Sequence, residues 1–333
     1  MVDKLRKHSA LGRITALADH REFMILYIIV LGVIGLAYAK PEFLSKPSLA
    51  AVMLSLTAQS IIAIGMTILL VSGTFDLSVG STFALAGTVT AIWLKSGMPP
   101  PLAIGFGLGV GVLIGLINGL IITEIGLNAF ITTLGMMGLV RGLMMVVSGG
   151  RNISELPASF NALGQGELIP GVQNPILILA VLIVVGDFLL RRSRFFRQSH
   201  YIGGNEAAAV LSGINVKRIK VFNFALVGFL AALGGIIITA RLGSASTTAG
   251  KGLELKVISA AIIGGASLKG GAGTILGALL GACLMSIIVS SITLLGIDPN
   301  WVDFVIGAAL LLAVMADVTG RARSSGRGSA VRA

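Results

Sequence analysis

The sequence predicts an all-α integral membrane protein: a polytopic bundle of about ten transmembrane helices, some short or broken, with a short helix exposed at one end. Of 333 residues, 55% are hydrophobic and 12% charged, and mean hydropathy is +0.96. Soluble domains carry roughly a quarter charged residues. The 45 glycines and an aromatic share of 6% argue against a lipid-facing barrel, whose strands alternate and carry aromatic girdles, and favour closely packed helices.

Apolar runs suited to crossing a bilayer cover 23–39, 51–72, 79–94, 102–123, 129–147, 175–190, 221–240, 255–268, 272–295 and 301–316. A spanning helix needs about 20 mostly apolar residues, so the third, sixth and eighth runs are short. Short or glycine-interrupted spans are where membrane transport proteins break helices and line a path.

Basic residues set the expected orientation, because cytoplasmic flanks retain lysine and arginine. They gather at Lys4, Arg6, Lys7, Arg13 and Arg21, at Arg191, Arg192, Arg194, Arg197, Lys217, Arg218 and Lys220, and at Arg321, Arg323, Arg327 and Arg332. With ten spans these three groups share one side, and the loop holding Arg151, Glu155 and Glu167 falls on the other. The expected organisation is a cytoplasmic basic segment over 1–22, a transmembrane domain over 23–316 with a cytoplasmic loop at 191–220, and a cytoplasmic basic tail over 317–333. The AYA stretch at 37–39 has the look of a signal-peptide cleavage site, but the charged leader before it is long for one. The net charge of +11 sits in these flanks, so the expected partner is the lipid bilayer and not nucleic acid. A single cysteine, Cys283, permits no intrachain disulfide.

Glycine spacing predicts packing. Gly107, Gly111, Gly115 and Gly119 recur every fourth residue, as do Gly273, Gly277 and Gly281, so each set forms a flat helix face that a neighbouring backbone can approach. An internal echo is also present. Laying GTFDLSVGS on GGASLKGGA matches Gly73 with Gly264, Leu77 with Leu268 and Gly80 with Gly271.

Chemistry-bearing motifs are sparse. No G-x-x-x-x-G-K-[ST] loop occurs, so the chain does not cradle nucleotide phosphates by that means. No H-E-x-x-H occurs, and His8, His20 and His200 lie in basic flanks, so no metal ligand and no catalytic residue is assigned. The acidic candidates Asp76, Glu124, Asp187, Asp303 and Asp317 fall mostly at predicted span ends and form no relay for protons. Arg141 lies inside a span and should face the bundle, either snorkelling toward the outer surface or bonding a carbonyl to fix helix positions, or else bordering a solute path. Asp76, in SGTFDLSVGS, is expected to begin a helix at the cytoplasmic side, accepting from the N–H groups of Ser78 and Val79.

The segment GGNEAAAVLSGINV, 203–216, predicts a short cytoplasmic helix capped by Asn205 or Gly204, with Glu206 in its first turn and Gly213 at its end. Flanked by basic anchors, it suits docking of a soluble partner.

The stretch EAAAVLSG resembles the loop by which permease subunits of bacterial ATP-binding-cassette importers engage their ATPases. In order along the chain, SGTFDLSVGS, GLINGLIIT, FITTLGMMGLVRGL with SGGRNIS, YIGGNEAAAVLSGINV and GGASLKGGAGTILGALLGA are similar to the ribose-type monosaccharide permease family. The match runs over about 65–296. Two departures stand out: Thr74 and Phe75 replace a glycine and a polar or basic residue before Asp76, and Asn128 stands where proline is common.

The resemblance implies a multi-pass permease of a bacterial inner membrane that binds no cofactor itself, ATP and Mg being held by a partner. It implies pairing with an identical or different second permease, two ATPase subunits or one tandem ATPase, and a soluble sugar-binding protein. Gly203, Gly204, Asn205, Glu206, Ala207, Ala208 and Gly213 would form the ATPase-coupling element. Asp76, Ser78, Gly80, Asn118, Thr132, Thr133, Arg141, Gly264, Gly265 and Gly271 would form hinges or the translocation pathway. An ion-coupled secondary transporter is the alternative, and an intramembrane enzyme or a scaffold stands behind it.

Overall fold

The computed structural model describes residues 21–298 and 300–330, with side chains described from 22 to 315. The basic residues at 4–13, His8 and His20, and the side chains of Asp317 and the tail arginines, lie outside that description. Among the described residues the chain forms thirteen α-helices and no strand, only isolated bridges. They are α1 (Arg21–Ala39), α2 (Lys46–Val71), α3 (Val79–Lys95), α4 (Pro100–Leu120), α5 (Ala129–Ser148), α6 (Ala158–Gln165), α7 (Asn174–Arg192), α8 (Arg194–Gly204), α9 (Glu206–Leu211), α10 (Val216–Leu242), α11 (Leu253–Ile263), α12 (Ile275–Leu294) and α13 (Trp301–Ala330). A π-helical turn, Ile121–Ile125, prolongs α4.

Every apolar run foreseen from sequence holds a helix, and among the described residues seven of these helices are long and apolar enough to cross a bilayer. The sixth run is full length in the structure, as α7, whereas α3 has 17 residues and α11 only 11. At 1.5 Å per residue α11 covers about 16 Å, half of a hydrocarbon core of about 30 Å. The chain therefore enters the bundle in non-helical form before α11. Residues 243–252 leave the far end, where Ala245 pairs with Ile153, and reach Gly250, which packs against the carbonyl of Gly80 near the start of α3.

Local chemistry sets the helix boundaries. Asn128 accepts from Phe130 N–H at 2.8 Å to begin α5, Asn215 from Arg218 N–H at 3.0 Å to begin α10, and Thr274 from Gly277 N–H at 3.0 Å to begin α12. Glycines in the left-handed region end others: Gly149 after α5 and Gly243 after α10, both with φ of 61°.

Helix α2 is the axis of the bundle, buried from Thr57 to Val71 and packed on α10, α11, α12 and α7. The two glycine faces are packing faces. A Cβ on Gly111 would strike the carbonyl of Gly228, and one on Gly115 would strike the carbonyl of Phe224, so α4 and α10 meet backbone to backbone. Gly277 and Gly281 meet the carbonyls of Gly264 and Ala260 in the same way, joining α12 to α11. Helix α1 runs unbroken through 37–39 and lays Ile25 and Ile29 against Ile287 of α12.

The turns 72–78, 126–128, 193–215 and 264–274 share one end of the bundle, called here the basic end. Lys217 Nζ meets Glu124 there at 2.8 Å, and Gly271 N–H donates to the carbonyl of Val71 at 2.8 Å. At the far end Lys95 and Glu155 pair at 3.4 Å.

Candidate functional site

Two groupings stand out. The first is a buried polar cluster where the 72–78 stretch climbs into the bundle. Asp76, 1% exposed, accepts from both the N–H (2.7 Å) and the hydroxyl (2.6 Å) of Ser78 through Oδ1, and from Asn118 Nδ2 at 3.2 Å through Oδ2. Asn118 Nδ2 also donates to the Ser78 hydroxyl at 3.0 Å. Two features differ from expectation. Among the described residues no bond from Val79 N–H reaches Asp76; the Ser78 hydroxyl and Asn118, a helix away, fill the carboxylate instead. Asn118 also lies seven residues before Ile125, about 10 Å along a helix, so Asp76 sits inside the bundle and not at its surface.

Next to this cluster the 243–252 segment arrives. A Cβ on Gly80 would strike the Gly250 carbonyl and Glu254 Oε2, so glycine is required there for close approach. Arg141 Nη1 donates to the Ala249 carbonyl at 2.8 Å, and its charge acts on Glu254 in the first turn of α11. Ser81 Oγ donates to the Met137 carbonyl at 2.9 Å. Sequence reading singled out neither Glu254 nor Ser81; the signal for Glu254 was the charged KGLELK at 251–256, beside a span too short to cross a bilayer.

Thr133 donates to the Ala129 carbonyl at 2.8 Å, and Thr132 is buried with no hydrogen-bond partner for its hydroxyl; neither bonds to the Asp76 cluster. The two sequence departures meet one another. The ring of Phe75 lies edge to face on that of Phe130, centroids 6.4 Å apart, and Asn128 caps the helix that carries Phe130.

The second grouping is at the basic end. Instead of one short helix, α8 runs to Gly204, Asn205 breaks the chain, and α9 follows. Asn205 Oδ1 accepts from Ala208 N–H at 3.0 Å, so Asn205 is the cap, while Gly203 and Gly204 belong to the end of α8. Glu206 pairs with Lys220 Nζ at 2.7 Å, and Gly213 follows α9 with φ of 79°. Ala207 and Ala208 face outward, as do Val210 (57% exposed) and Leu211 (89%), whereas Ala209 is buried.

Helix α8 touches both inner turns. A Cβ on Gly203 would strike the Val71 carbonyl and come within 2.5 Å of Gly271 N, and one on Gly271 would lie 3.0 Å from Gly204 Cα. Gly264 and Gly265 close the end of α11 just behind, Gly265 with φ of 99°. Gly264, Gly265 and Gly271 therefore stand at the junction between α8 and the bundle.

Residues 48–314 match the family model described as branched-chain amino acid transport system / permease component. The chain belongs to this permease family. It is 38% identical over 305 residues to the ribose import permease protein RbsC of Haemophilus influenzae, covering 90% of this chain and 93% of that one. It is 37% identical over 306 residues to the probable ABC transporter permease protein y4mJ of Sinorhizobium fredii, covering 92% of each. To the autoinducer 2 import system permease protein LsrC of an Enterobacter species it is 33% identical over 300 residues, 90% of this chain and 87% of that one. No solved structure matches the chain. The resemblance read from the ordered motifs holds, and this permease is a multi-pass membrane component of a transport system.

Proposed function

We propose that this permease forms the translocation pathway for a monosaccharide, ribose or a related sugar or polyol, in an ATP-binding-cassette importer of a bacterial inner membrane. A soluble binding protein delivers the solute, and separate ATPase subunits bind ATP and Mg and supply the energy. The basic end faces the cytoplasm, as the distribution of lysine and arginine requires. A second permease, identical or different, completes the pathway.

The observation that carries this reading is the place of α8 and α9. A six-residue helix presents Val210 and Leu211 to the outside, and the helix before it abuts the turns 72–78 and 264–274 through glycine. A push on α9 is thereby delivered to the two turns from which α3 and α12 rise. The 72–78 turn leads directly to Asp76, Ser78 and Asn118, and from there to Gly80 and the 243–252 segment. Movement of rigid helices about such turns is the usual form of alternating access.

The test is Leu211→Asp in the permease co-reconstituted with its ATPase and binding protein. Leu211 touches little of its own chain, so the variant inserts normally; ATPase capture and ribose uptake are both expected to fall at least tenfold, the loss of about 1.4 kcal/mol of docking energy. Normal uptake with full ATPase capture would remove the coupling role. Uptake driven by a proton or sodium gradient without any ATPase would favour the ion-coupled alternative.

A further inference from the structure

At the basic end, between the last turn of α7, helix α8 and the start of α12, lies a cavity of about 420 Å³ lined by Asp187, Leu190, Arg191, Arg197, His200 and Gly273. Arg191 Nε donates to Asp187 at 2.9 Å, and Arg197 Nη2 to the Tyr201 hydroxyl at 3.3 Å. Each guanidinium so commits one of its five N–H groups and keeps others for a ligand. Arg191 and Arg197 line the cavity with Arg192 beside them on α7, against Asp187 and Glu22, whose carboxylate accepts from the Thr274 hydroxyl at 2.6 Å, so the site is basic on balance. His200 is bonded to the Gly273 carbonyl, and burial lowers its pKa, so at neutral pH it adds no charge.

A second cavity, about 390 Å³, shares Asp187 and Arg191 with the first and runs along the outer faces of α7 and α12 past Ile183, Val184, Phe188 and Leu276. Val184, Phe188 and Leu276 are exposed. A basic polar chamber thus opens into an apolar groove on the lipid-facing side, at the level where α7 reaches its terminal arginines. That is the shape and charge of a phospholipid with an anionic headgroup.

We propose that this compound site holds one anionic phospholipid of the leaflet at the basic end. Arg191 and Arg197 bond its phosphate, and the groove between α7 and α12 takes an acyl chain. The bound lipid bridges α7, α8 and the start of α12, joining the proposed coupling element to the membrane surface. Charge-assisted bonds from arginine hold the phosphate. The net positive charge of the site favours a headgroup that is anionic overall over one whose choline cation it repels, and the groove separates a lipid from a free phosphate ion.

The full-length permease, purified in detergent, is titrated by native mass spectrometry with dioleoyl phosphatidylglycerol, dioleoyl phosphatidylcholine and inorganic phosphate. The expected result is a single phosphatidylglycerol adduct at roughly tenfold lower lipid than phosphatidylcholine requires, about 1.4 kcal/mol of preference. Arg191→Gln with Arg197→Gln removes the preference, weakening phosphatidylglycerol more than phosphatidylcholine. Leu276→Trp, which fills the groove and leaves every charge in place, also weakens phosphatidylglycerol. Equal binding of the two lipids by the native chain, or a preference that survives the double arginine change, overturns the site. Displacement of phosphatidylglycerol by inorganic phosphate at matched concentration, or indifference to Leu276→Trp, overturns the lipid as its occupant.

Discussion

The turns 72–78 and 264–274 end a helix in the same way and then diverge. Each carries a left-handed glycine, Gly73 with φ of 78° and Gly265 with φ of 99°. In each the next N–H reaches back across the helix end, Thr74 to the Leu69 carbonyl at 3.1 Å and Ala266 to the Ala261 carbonyl at 2.9 Å. In each a side chain then takes the N–H two residues on, Asp76 from Ser78 at 2.7 Å and Ser267 from Lys269 at 3.1 Å. The first turn faces α4, which offers the donor Asn118, and its acceptor is a carboxylate. The second faces the end of α8, which offers backbone at contact distance, and it is built from glycine. What lies opposite a turn decides its side-chain chemistry, while the helix end it closes is the same.

The largest effect should come from breaking the polar turn. Asp76→Leu leaves the Ser78 N–H, the Ser78 hydroxyl and an Asn118 N–H without their buried acceptor, at about 1–3 kcal/mol each. Folded yield from membranes and thermal stability in detergent should collapse. Asp76→Asn sharpens the point. Its amide can still accept from Ser78 and can donate to Asn118 Oδ1, which is buried and has no partner, so stability should fall by less than about 1.5 kcal/mol. Equal loss in both variants would show that the charge and not the bonding matters.

The glycine turn should break less severely and through shape. Gly203→Ala places a methyl group against the Val71 carbonyl and Gly271 N, backbone that cannot turn aside, and should cost about 1–3 kcal/mol together with looser attachment of α8. Gly213→Ala meets nothing within 4 Å and suffers only its φ of 79°, so about 1 kcal/mol is expected. Hydrogen exchange across 72–78, 199–213 and 264–274 distinguishes them: Gly203→Ala should speed exchange from α8 into both turns, and Gly213→Ala only at the end of α9.

The smallest effect concerns pH. His200 joins α8 to the glycine turn through the Gly273 carbonyl, and burial, opposed by that bond and aided by Arg197, lowers its pKa from 6.5. A base whose folded pKa is lowered stabilises the fold above its unfolded pKa and loses that contribution as pH falls toward the folded value. Thermal stability should therefore decline slightly as pH falls below about 6.5, and His200→Gln should flatten the decline. An unchanged slope in His200→Gln would assign the pH response elsewhere.

The internal echo shows how far sequence comparison reached. Its proposed register put Gly73 on Gly264, but the matching left-handed glycines are Gly73 and Gly265, one residue further on. The side-chain acceptors Asp76 and Ser267 keep the original register, because the second turn is one residue shorter between glycine and acceptor. Glycine is abundant enough here for identity to mislead by one position, and only backbone conformation separates the two.

What the sequence by itself determined was local or periodic. Apolar run length placed the helices, because backbone groups in hydrocarbon must bond within their own segment. Every-fourth glycine gave the seams of α4 and α12, because small residues at that spacing share a face. The caps at Asn205 and Asn128 act within three residues. The tertiary structure alone decided the pairings made across distance. It brought Asn118 to Asp76, Arg141 to the Ala249 carbonyl and Gly203 to Val71 and Gly271. It also made α11 a half-length helix whose start packs beside Gly80 of α3, with Glu254 in its first turn, because a segment entering between packed helices is positioned by their surfaces and not by its own periodicity.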